Sequence, residues 1–490
     1  MSGSERPRAM IAGTAVSVDH YIGGRRVASP GTFEARSPLD WSLKLADVSA
    51  GDGAVAGAAV AAACEAAEGW AARGAAGRGV HLRRLADLID GSVEVLAEIE
   101  CLDMAMLLES LRRRVIARGA RNFRAYADLA ESYSERTWAS NGTDNRVQRM
   151  PAGPAVIITP WNAPFMLATW KVAPALAAGN TVVLKPAEWS PLSASLLADL
   201  AHEAGLPAGV LNVVQGRGAE VGAALVADER VRRISFTGSP ETARSIGAAA
   251  AANIVPFTAE LGGKGPLIVF EDADIEAAAR TAAGQFDDSG QVCLAGTRLL
   301  VAEGIAEEFR QRFDAHTNAH VLGDSRDPAT TISPLIHPEH LARVEGFVER
   351  ARRAGDTVLR GGRRSRPDGL WYEPTLIRPA GNDSEIVQRE VFGPVLTLQT
   401  FADEPEAVRL ANSTRYGLSG VVFTGSGARA ERVGQAVRAG TVWVNCFGVR
   451  DLAAPFGGCG ISGLGREGGD YALDFHSDLK TVQVRQGTTG

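Results

Sequence analysis

The feature that most restricts the fold is a regular alternation of short apolar runs and longer intervening segments, beginning at Val156. The first strand-like runs occupy residues 156–159, 181–184, 210–214, 234–236 and 266–270. A second series follows Cys293, at residues 298–302, 394–399, 420–424 and 441–445. Such alternation is typical of parallel β-α-β units with helices on both faces of the sheet. The pattern predicts an α/β fold whose ligands bind at the carboxyl ends of the strands.

The chain before this alternation has other patterns. Residues 20–48 alternate short apolar runs with Gly and Pro, which predicts an N-terminal hairpin. From Ala54 to about Leu129, apolar residues recur at helical spacing. The expected helix breaks are at Gly74, Gly77 and Gly91. Residues 133–149 are polar without a core stripe and predict an exposed arm. No repeat or low-complexity linker separates these parts, so we expect interleaved domains.

Length and charge exclude several classes of function. A chain of 490 residues suggests about three structural units. The net charge of -6 provides neither a basic field for nucleic acid nor a polybasic patch for anionic lipid. No apolar run approaches the roughly 20 residues that a membrane helix requires. Small molecules are therefore the expected ligands, with no nucleic acid or membrane partner.

Cysteine and histidine patterns indicate the compartment and argue against a metal centre. Five cysteines form no CxxC pair, which favours a reducing, cytoplasmic location. The first residues predict a plain extension instead of a signal peptide. The histidine pairs at 316/320 and 337/340 have helical spacing but no further ligands nearby in sequence, so we expect surface histidines and no bound metal.

The stretch GQVCLAGTR at residues 290–298 contains the candidate nucleophile, Cys293. A thiol becomes a useful nucleophile when a helix N-terminus, a cation or a general base stabilises its thiolate. The alternative is a buried cysteine that acts only as a small hydrophobe. The other motifs in the chain favour the nucleophile.

Two strand ends could hold a nucleotide. Lys185 and Glu188 follow the apolar run of GNTVVLKPAEWSP, where a carboxylate can accept from ribose hydroxyls and repel a 2′-phosphate. FTGS at residues 236–239 ends the next run and opens a helix, so backbone N–H groups and Ser239 could cradle a phosphate. A solvated lysine and glutamate after a strand is the alternative for the first motif.

Together these motifs resemble the aldehyde dehydrogenase superfamily, from about Tyr21 to Val482. The matching stretches are ITPWN (158–162), KPAE (185–188), FTGS (236–239), ELGGK (260–264), GQVCLAGTR (290–298), EVFGPV (390–395), NSTRYGLSG (412–420) and PFGG (455–458). The resemblance implies NAD(P)-dependent oxidation of an aldehyde to a carboxylate. It also implies the aldehyde dehydrogenase fold, with a Rossmann-like cofactor domain, a second α/β catalytic domain and a small β oligomerisation arm. The expected boundaries are 1–132 and 149–261 for the NAD-binding domain, 262–470 for the catalytic domain, and 133–148 and 471–490 for the arm.

The resemblance assigns roles to four catalytic residues. Cys293 would attack the aldehyde, and the Asn162 amide with the Cys293 backbone N–H would stabilise the oxyanion. Glu260 would activate the thiol and then the water that cleaves the thioester. Members that transfer the acyl group to coenzyme A typically lack this glutamate, so Glu260 favours hydrolysis. Lys171 is a candidate proton-relay residue, with a helix-surface lysine as the alternative.

The resemblance also implies a cofactor site for NAD, with NADP possible, because Glu188 favours NAD. The implied cofactor residues are Thr159, Pro160, Trp161, Lys185, Glu188, Gly218, Phe236, Gly238, Ser239, Leu261, Glu390 and Phe392. The chain departs from the family at Ala243, because relatives usually have a glycine at this position, one turn after FTGS. It restricts how closely that helix can approach the cofactor.

Several stretches, including TPWNAPFMLATWKVAP, are most similar to the dehydrogenases of 5-carboxymethyl-2-hydroxymuconate and 2-hydroxymuconic semialdehydes. These substrates are anions, so their pocket should contain arginine. Arg118 and Arg450 fit by position, with Trp170, Val292, Leu294 and Phe456 as further implied pocket residues. Two alternatives are a solvated basic helix face for Arg118 and a salt bridge of Arg450 with Asp451. Ala453 stands where this group usually repeats an arginine, which favours a less charged substrate.

Three other functions stay open from the sequence. They are the oxidation of a neutral or betaine-type aldehyde, acylation of coenzyme A, and a catalytically silent structural or binding protein. Residues 133–149 and 478–486 resemble the paired elements through which these enzymes form homodimers or homotetramers.

Overall fold

The computed structural model describes residues 5–486. Its α-helices are α1 (Gly53–Ala71), α2 (Gly74–Gly91), α3 (Val93–Met104), α4 (Leu108–Ser110), α5 (Ile116–Ser132), α6 (Pro164–Ala177), α7 (Leu192–Glu203), α8 (Ala223–Ala227), α9 (Pro240–Ala252), α10 (Ile275–Ala283), α11 (Ala306–Asn318), α12 (Pro338–Arg353), α13 (Glu385–Gln388), α14 (Glu404–Ala411), α15 (Gly427–Ala436) and α16 (Gly469–Phe475). The predicted NAD-binding domain begins with residues 1–4 and the predicted arm ends with residues 487–490, and both of these short segments lie outside the described residues.

The strands are β1 (Ala9–Ile11), β2 (Thr14–Val16), β3 (His20–Ile22), β4 (Arg25–Val27), β5 (Thr32–Ser37), β6 (Asp40–Ser49), β7 (Arg136–Ser140), β8 (Thr143–Pro151), β9 (Ala155–Ile158), β10 (Val182–Lys185), β11 (Leu211–Val213), β12 (Arg233–Gly238), β13 (Phe257–Leu261), β14 (Pro266–Val269), β15 (Arg298–Ala302), β16 (Thr357–Arg360), β17 (Thr375–Arg378), β18 (Val395–Phe401), β19 (Ser419–Phe423), β20 (Thr441–Val444), β21 (Gly463–Leu464) and β22 (Ser477–Arg485).

The first large sheet has the strand order β21-β13-β12-β9-β10-β11-β3-β4. Its five central strands are parallel, and the register pairs Ile158 with Lys185 and Thr237 with Glu260. The carboxyl ends of these strands therefore meet at one edge of the sheet. This edge carries the predicted cofactor motifs and the predicted base.

The second sheet has the order β16-β17-β18-β15-β14-β19-β20 and is parallel except for β16. Helices cover both of its faces, with Phe286 and Phe313 in the core on one side and Phe270 and Phe401 on the other. A third, antiparallel sheet joins β22 to β8 and β7, so the last described strand pairs with the polar segment predicted to be an arm.

The predicted α/β class and all nine predicted apolar strand runs are confirmed. Three details differ. Residues 20–48 form two hairpins instead of one, and the first of them extends the edge of the first sheet beside β11. The helix break expected at Gly77 is absent, since α2 runs through it. β13, which the sequence did not predict, carries Glu260.

Helix α6 is apolar nearly all round, as expected of a helix enclosed by protein. Pro164 begins it, in the position where a missing N–H costs nothing. It packs between α5, α7 and the first sheet, and its buried residues include Trp170 and Lys171. Within residues 5–486, no helix combines the length and apolar character required to cross a membrane.

Candidate active site

Cys293 follows a strained turn and lies against the glycines of ELGGK. Asp288 and Ser289 have φ of 52° and 55°, which L-residues adopt only under constraint. A Cβ on Gly263 would lie 2.4 Å from the Cys293 carbonyl oxygen, so only glycine lets the two loops approach this closely. Burial, followed by the charges of Glu390 and Glu260, raises the pKa of the Cys293 thiol to about 12. The thiol is therefore protonated at neutral pH and requires a base.

Glu260 lies at the carboxyl end of β13, close enough for its charge to act on the Cys293 thiol. Both of its carboxylate oxygens are buried without a hydrogen-bond partner among the described residues. A Cβ on Gly457 would lie 2.7 Å from its Oε1, so the backbone of PFGG passes directly over the carboxylate. Burial, and then the charge of Glu467, raises the pKa of Glu260 well above its usual range. A carboxylate of raised basicity and free oxygens is suited to accept a proton.

Asn162 is held beside the nucleophile loop. Its Nδ2 donates to the carbonyl oxygen of Gln291 at 2.8 Å, which fixes the amide and leaves its second N–H to bind another acceptor. The Gln291 side chain is itself anchored, since its Oε1 accepts from the backbone N–H of Ile336 at 3.1 Å. The structure thus brings Cys293, Glu260 and Asn162 into one site, as the sequence predicted.

Lys171 is not a surface lysine, because its side chain is buried. It forms an ion pair with Glu467, and its Nζ donates to Ser235 Oγ at 3.0 Å. The other Glu467 oxygen accepts from Trp170 Nε1 at 2.7 Å. Sequence reasoning missed Glu467, although it lies shortly after the PFGG motif.

The predicted ribose pair lies at the end of β10. Lys185 Nζ and Glu188 Oε2 are 3.0 Å apart, with the lysine buried and the glutamate half-buried, so this is not a solvated pair. The backbone N–H of Gly218 donates to Glu188 and, with Lys185, lowers the pKa of Glu188 against the effect of burial. Thr159 Oγ1, just after the end of the neighbouring strand, is buried without a hydrogen-bond partner in the described part of the chain.

The other predicted cofactor residues surround this edge. Ser239 Oγ caps α9 by accepting from the Thr242 N–H at 3.2 Å. Phe236 is buried with its ring against Gly238, where a Cβ would lie 2.5 Å from the ring. Leu261 ends β13, and Pro160 follows Thr159 in the loop after β9. The open helix N-terminus, the unpartnered hydroxyl and the carboxylate–lysine pair fit a dinucleotide.

A second group of predicted cofactor residues meets at the ELGGK turn. Glu390 Oε1 accepts from the Gly263 N–H at 2.8 Å, and burial raises the pKa of Glu390 to about 7. Phe392 packs edge-on against Trp161, with ring centroids 5.2 Å apart. His340 was predicted to lie on the surface but is buried, because its ring packs against Trp161 and its Nε2 contacts the Phe392 carbonyl oxygen at 2.7 Å.

The two predicted arginines both lie against the Trp170 ring. The Arg118 guanidinium is 5.3 Å from the Trp170 ring centroid, and that of Arg450 is 5.8 Å from it. Arg450 also lies 3.8 Å from the Phe456 ring centroid. Within residues 5–486, neither arginine has an ion pair or a hydrogen bond. Burial, and then Arg450, lowers the pKa of Arg118 to about 10.

Neither alternative for these arginines describes the structure. Arg118 is half-buried against an aromatic ring, whereas Arg124 of the same helix pairs with surface aspartates. The Asp451 carboxylate accepts from the Ala453 N–H at 2.9 Å and does not pair with Arg450. The charges of Cys293 and Glu260 act on Arg450, so this cation lies close to the reacting groups. Val292 and Leu294 flank Cys293 and are half-buried.

Comparison with known proteins agrees with this geometry. The sequence model described as Aldehyde dehydrogenase family matches residues 26–482. The betaine aldehyde dehydrogenase of Cereibacter sphaeroides (strain ATCC 17025 / ATH 2.4.3) is 42% identical over 407 residues, which cover 83% of this chain and 84% of that protein. The 2-hydroxymuconic semialdehyde dehydrogenase of Pseudomonas sp. (strain CF600) is 39% identical over 484 residues, which cover 96% of this chain and 99% of that protein. The crystal structure of betaine aldehyde dehydrogenase from Staphylococcus aureus in complex with NAD+ superposes with a TM-score of 0.94 at 37% identity, covering 96% of this chain and 95% of that one.

Proposed function

Because this chain belongs to the aldehyde dehydrogenase family and is an NAD-dependent enzyme of that family, we propose that its substrate is a carboxylate-bearing semialdehyde, oxidised to the acid. The observation that carries the proposal is the pair of guanidinium groups that lie against the Trp170 ring, neither of which forms an ion pair among the described residues. A guanidinium removed from water without an anion is costly, and a substrate carboxylate would offset that cost.

The first half of the reaction requires a base and an oxyanion site. Glu260 takes the proton from the Cys293 thiol as sulfur bonds to the aldehyde carbon, giving a thiohemiacetal. The free Asn162 N–H and the Cys293 backbone N–H stabilise the negative charge on the former carbonyl oxygen. Lys185, Glu188 and the residues around Glu390 would hold NAD+, which would supply the acceptor for the hydride that leaves the same carbon. Loss of hydride converts the thiohemiacetal to a thioester on Cys293.

The second half is hydrolysis of that thioester. Glu260 first releases to solvent the proton that it took from Cys293. It then removes a proton from water as the water oxygen attacks the acyl carbon, and the carbon–sulfur bond breaks to release the acid and the Cys293 thiolate. The unpartnered carboxylate oxygens of Glu260 leave room for either proton donor. The buried ion pair of Lys171 and Glu467 lies near enough to Glu260 to alter the pKa of this base.

The relatives include enzymes named for two chemically opposite substrates. Betaine aldehyde is a cation, which Arg118 and Arg450 would repel. A 2-hydroxymuconic semialdehyde carries a carboxylate, which they would bind. The Pseudomonas sp. relative that is named for this semialdehyde also matches almost the whole chain. The charge of the pocket therefore favours the anionic substrate over the cationic one.

The test compares aldehydes that differ chiefly in a carboxylate, such as succinic semialdehyde against butanal and adipic semialdehyde against hexanal. NAD+ reduction is followed by absorbance in wild type, Arg118→Ala and Arg450→Ala. We expect each variant to lose about 1.5 to 3 kcal/mol of transition-state binding, roughly 10- to 150-fold in kcat/KM, for the anionic member only. The matched control is Arg113→Ala, since Arg113 is exposed and pairs with Glu109 one turn away on the surface. Equal rates on neutral aldehydes with silent Arg118 and Arg450 variants would refute the proposal.

We also propose that the arm formed by β7, β8 and β22 pairs with a second copy of the chain. Leu479 and Trp138 lie on this sheet with 64% and 41% of their surface exposed. Every residue of β7 is exposed, so this outer strand offers unpaired backbone groups. Such an edge is well suited to a homodimer or homotetramer.

A further inference from the structure

Helix α3 carries two carboxylates that are fully removed from solvent, Glu100 and Asp103. They lie three residues apart and so project from the same side of the helix. Among residues 5–486, neither has a basic partner. An ionisable pair without a counter-ion is unusual in a protein interior.

Each carboxylate caps the beginning of a different helix. Glu100 Oε2 accepts from the backbone N–H of Phe165 at 3.0 Å, in the first turn of α6. Asp103 Oδ2 accepts from the N–H of Leu192 at 2.9 Å, at the first residue of α7. The residues that precede these helices, Ala163 and Pro191, make no side-chain cap of their own. Helix α3 therefore supplies both caps from outside.

These two helix starts position the two halves of the active site. Asn162 lies two residues before α6, in the loop that aims its amide at the nucleophile. Lys185 ends β10, and Glu188 lies in the loop that leads from β10 into α7. The loops are also tied to each other, because Ser190 Oγ donates to the Trp161 carbonyl oxygen at 3.3 Å.

Burying these two carboxyl groups in the core costs more free energy than burying apolar side chains there. Each carboxyl group leaves a second buried oxygen, Glu100 Oε1 and Asp103 Oδ1, without a partner among the described residues. Burial raises the pKa of Glu100 to about 7 and that of Asp103 well above its usual range. An apolar side chain would fill the same space without this desolvation. The contribution of these groups is therefore the orientation of two backbone segments.

We propose that Glu100 and Asp103 are positioning residues, with Glu100 fixing Asn162 for oxyanion stabilisation and Asp103 fixing the Lys185–Glu188 pair for NAD+ binding. This inference rests on the roles proposed above for those residues. A misplacement of about 1 Å at a reacting group costs roughly 100-fold in rate, so loss of a cap should be visible in catalysis.

The experiment compares a variant that lacks an acceptor with one that keeps it. Glu100→Leu should lower kcat about 10- to 100-fold with a much smaller effect on NAD+ affinity, because the N–H that Glu100 binds belongs to the helix that follows Asn162. Asp103→Leu should weaken NAD+ binding about tenfold with a much smaller effect on kcat. Glu100→Gln and Asp103→Asn keep an oxygen that can accept from the same N–H. Glu100→Gln should therefore have a kcat, and Asp103→Asn an NAD+ affinity, within about threefold of the wild-type value. NAD+ affinity is measured without aldehyde, by quenching of tryptophan fluorescence.

The matched control is Asp19→Leu. Asp19 is a fully buried carboxylate that accepts from the Arg6 N–H at 2.8 Å and from Ser49 Oγ at 2.7 Å, and neither of these partners belongs to the site. Its loss should lower Tm without altering kcat or NAD+ affinity. If the α3 variants behave like this control, or if both impair the same parameter, the proposal is wrong. If the leucine variants do not fold, Glu100→Ala and Asp103→Ala should show the same division.

The readouts separate this inference from the proposed function. Kinetics use whichever aldehyde the wild type oxidises, so an error about the semialdehyde leaves the kcat comparison intact. A wild type that oxidises no aldehyde would refute the proposed function. The binding titration of the Asp103 variants would still decide the second half of the inference.

Discussion

The buried ion pair of Lys171 and Glu467 should set the pH at which Glu260 becomes a base, and its two members should act in opposite directions. The charge of Glu467 raises the pKa of Glu260, and that of Lys171 lowers it. A unit charge within about 10 Å at an effective dielectric constant of about 20 contributes about 1.7 kcal/mol, or roughly 1.2 pKa units. Glu467→Gln should therefore lower the pKa of Glu260 by about one unit, and Lys171→Met should raise it by about as much.

The assay is the pH dependence of kcat/KM. Since the base must be deprotonated, the rate rises with pH through the pKa of Glu260. The acid limb should move to lower pH in Glu467→Gln and to higher pH in Lys171→Met. Both variants should also lose about 3 to 5 kcal/mol of unfolding free energy in urea, because each leaves a buried charge without its partner. Shifts in the same direction, or a loss of stability with no shift, would refute the electrostatic coupling and leave the pair a purely structural one.

Two further predictions concern the nucleophile loop and the arm. Gly263→Ala should lower kcat about 100-fold, since the new Cβ would lie 2.4 Å from the Cys293 carbonyl oxygen and displace that loop. The kinetic control is Gly304→Ala, where the new Cβ meets open space. Leu479→Asp should shift the protein to a smaller species in size-exclusion chromatography with light scattering. The control is Val80→Asp, because Val80 lies on α2 and is 65% exposed, and this variant should leave the assembly unchanged. An unaltered mass for the Leu479 variant would contradict the role of the arm.

The strands that the sequence predicted are those with continuous apolar runs, because a strand covered on both faces needs apolar residues at successive positions. β14, with the sequence PLIV, is buried throughout and was predicted. β13 reads FTAEL and interrupts its apolar run with Thr258 and Glu260. A functional carboxylate in a central strand breaks the pattern by which such a strand is recognised, so the strand of the base was missed.

The residues of the site likewise fall into those that the sequence predicted and those that it did not. Cys293, Asn162 and Glu260 were predicted because each lies in a short motif whose neighbours in sequence are also its neighbours in space. Glu467 contacts Lys171 across 296 positions of the chain, and nothing local to either residue indicates the other. Lys171 therefore allowed two interpretations from the sequence, and only the fold shows that it is buried. Long-range ion pairs of this kind depend on tertiary packing, which local patterns do not encode.

The proposed substrate site and the base are electrostatically linked, and this link yields a test of both. The positive charge of Arg450 lowers the pKa of Glu260. A substrate carboxylate bound to Arg450 would neutralise that charge, so the pKa of Glu260 should be higher in the enzyme–substrate complex than in the free enzyme. The acid limb of kcat, which reports the complex, should therefore lie at higher pH than that of kcat/KM, which reports the free enzyme. A neutral aldehyde leaves Arg450 charged and should show no such separation. If the acid limbs of kcat and kcat/KM coincide for both classes of aldehyde, the substrate carboxylate does not bind at Arg450. Arg450 would then affect the pKa of Glu260 equally in the free enzyme and in the complex.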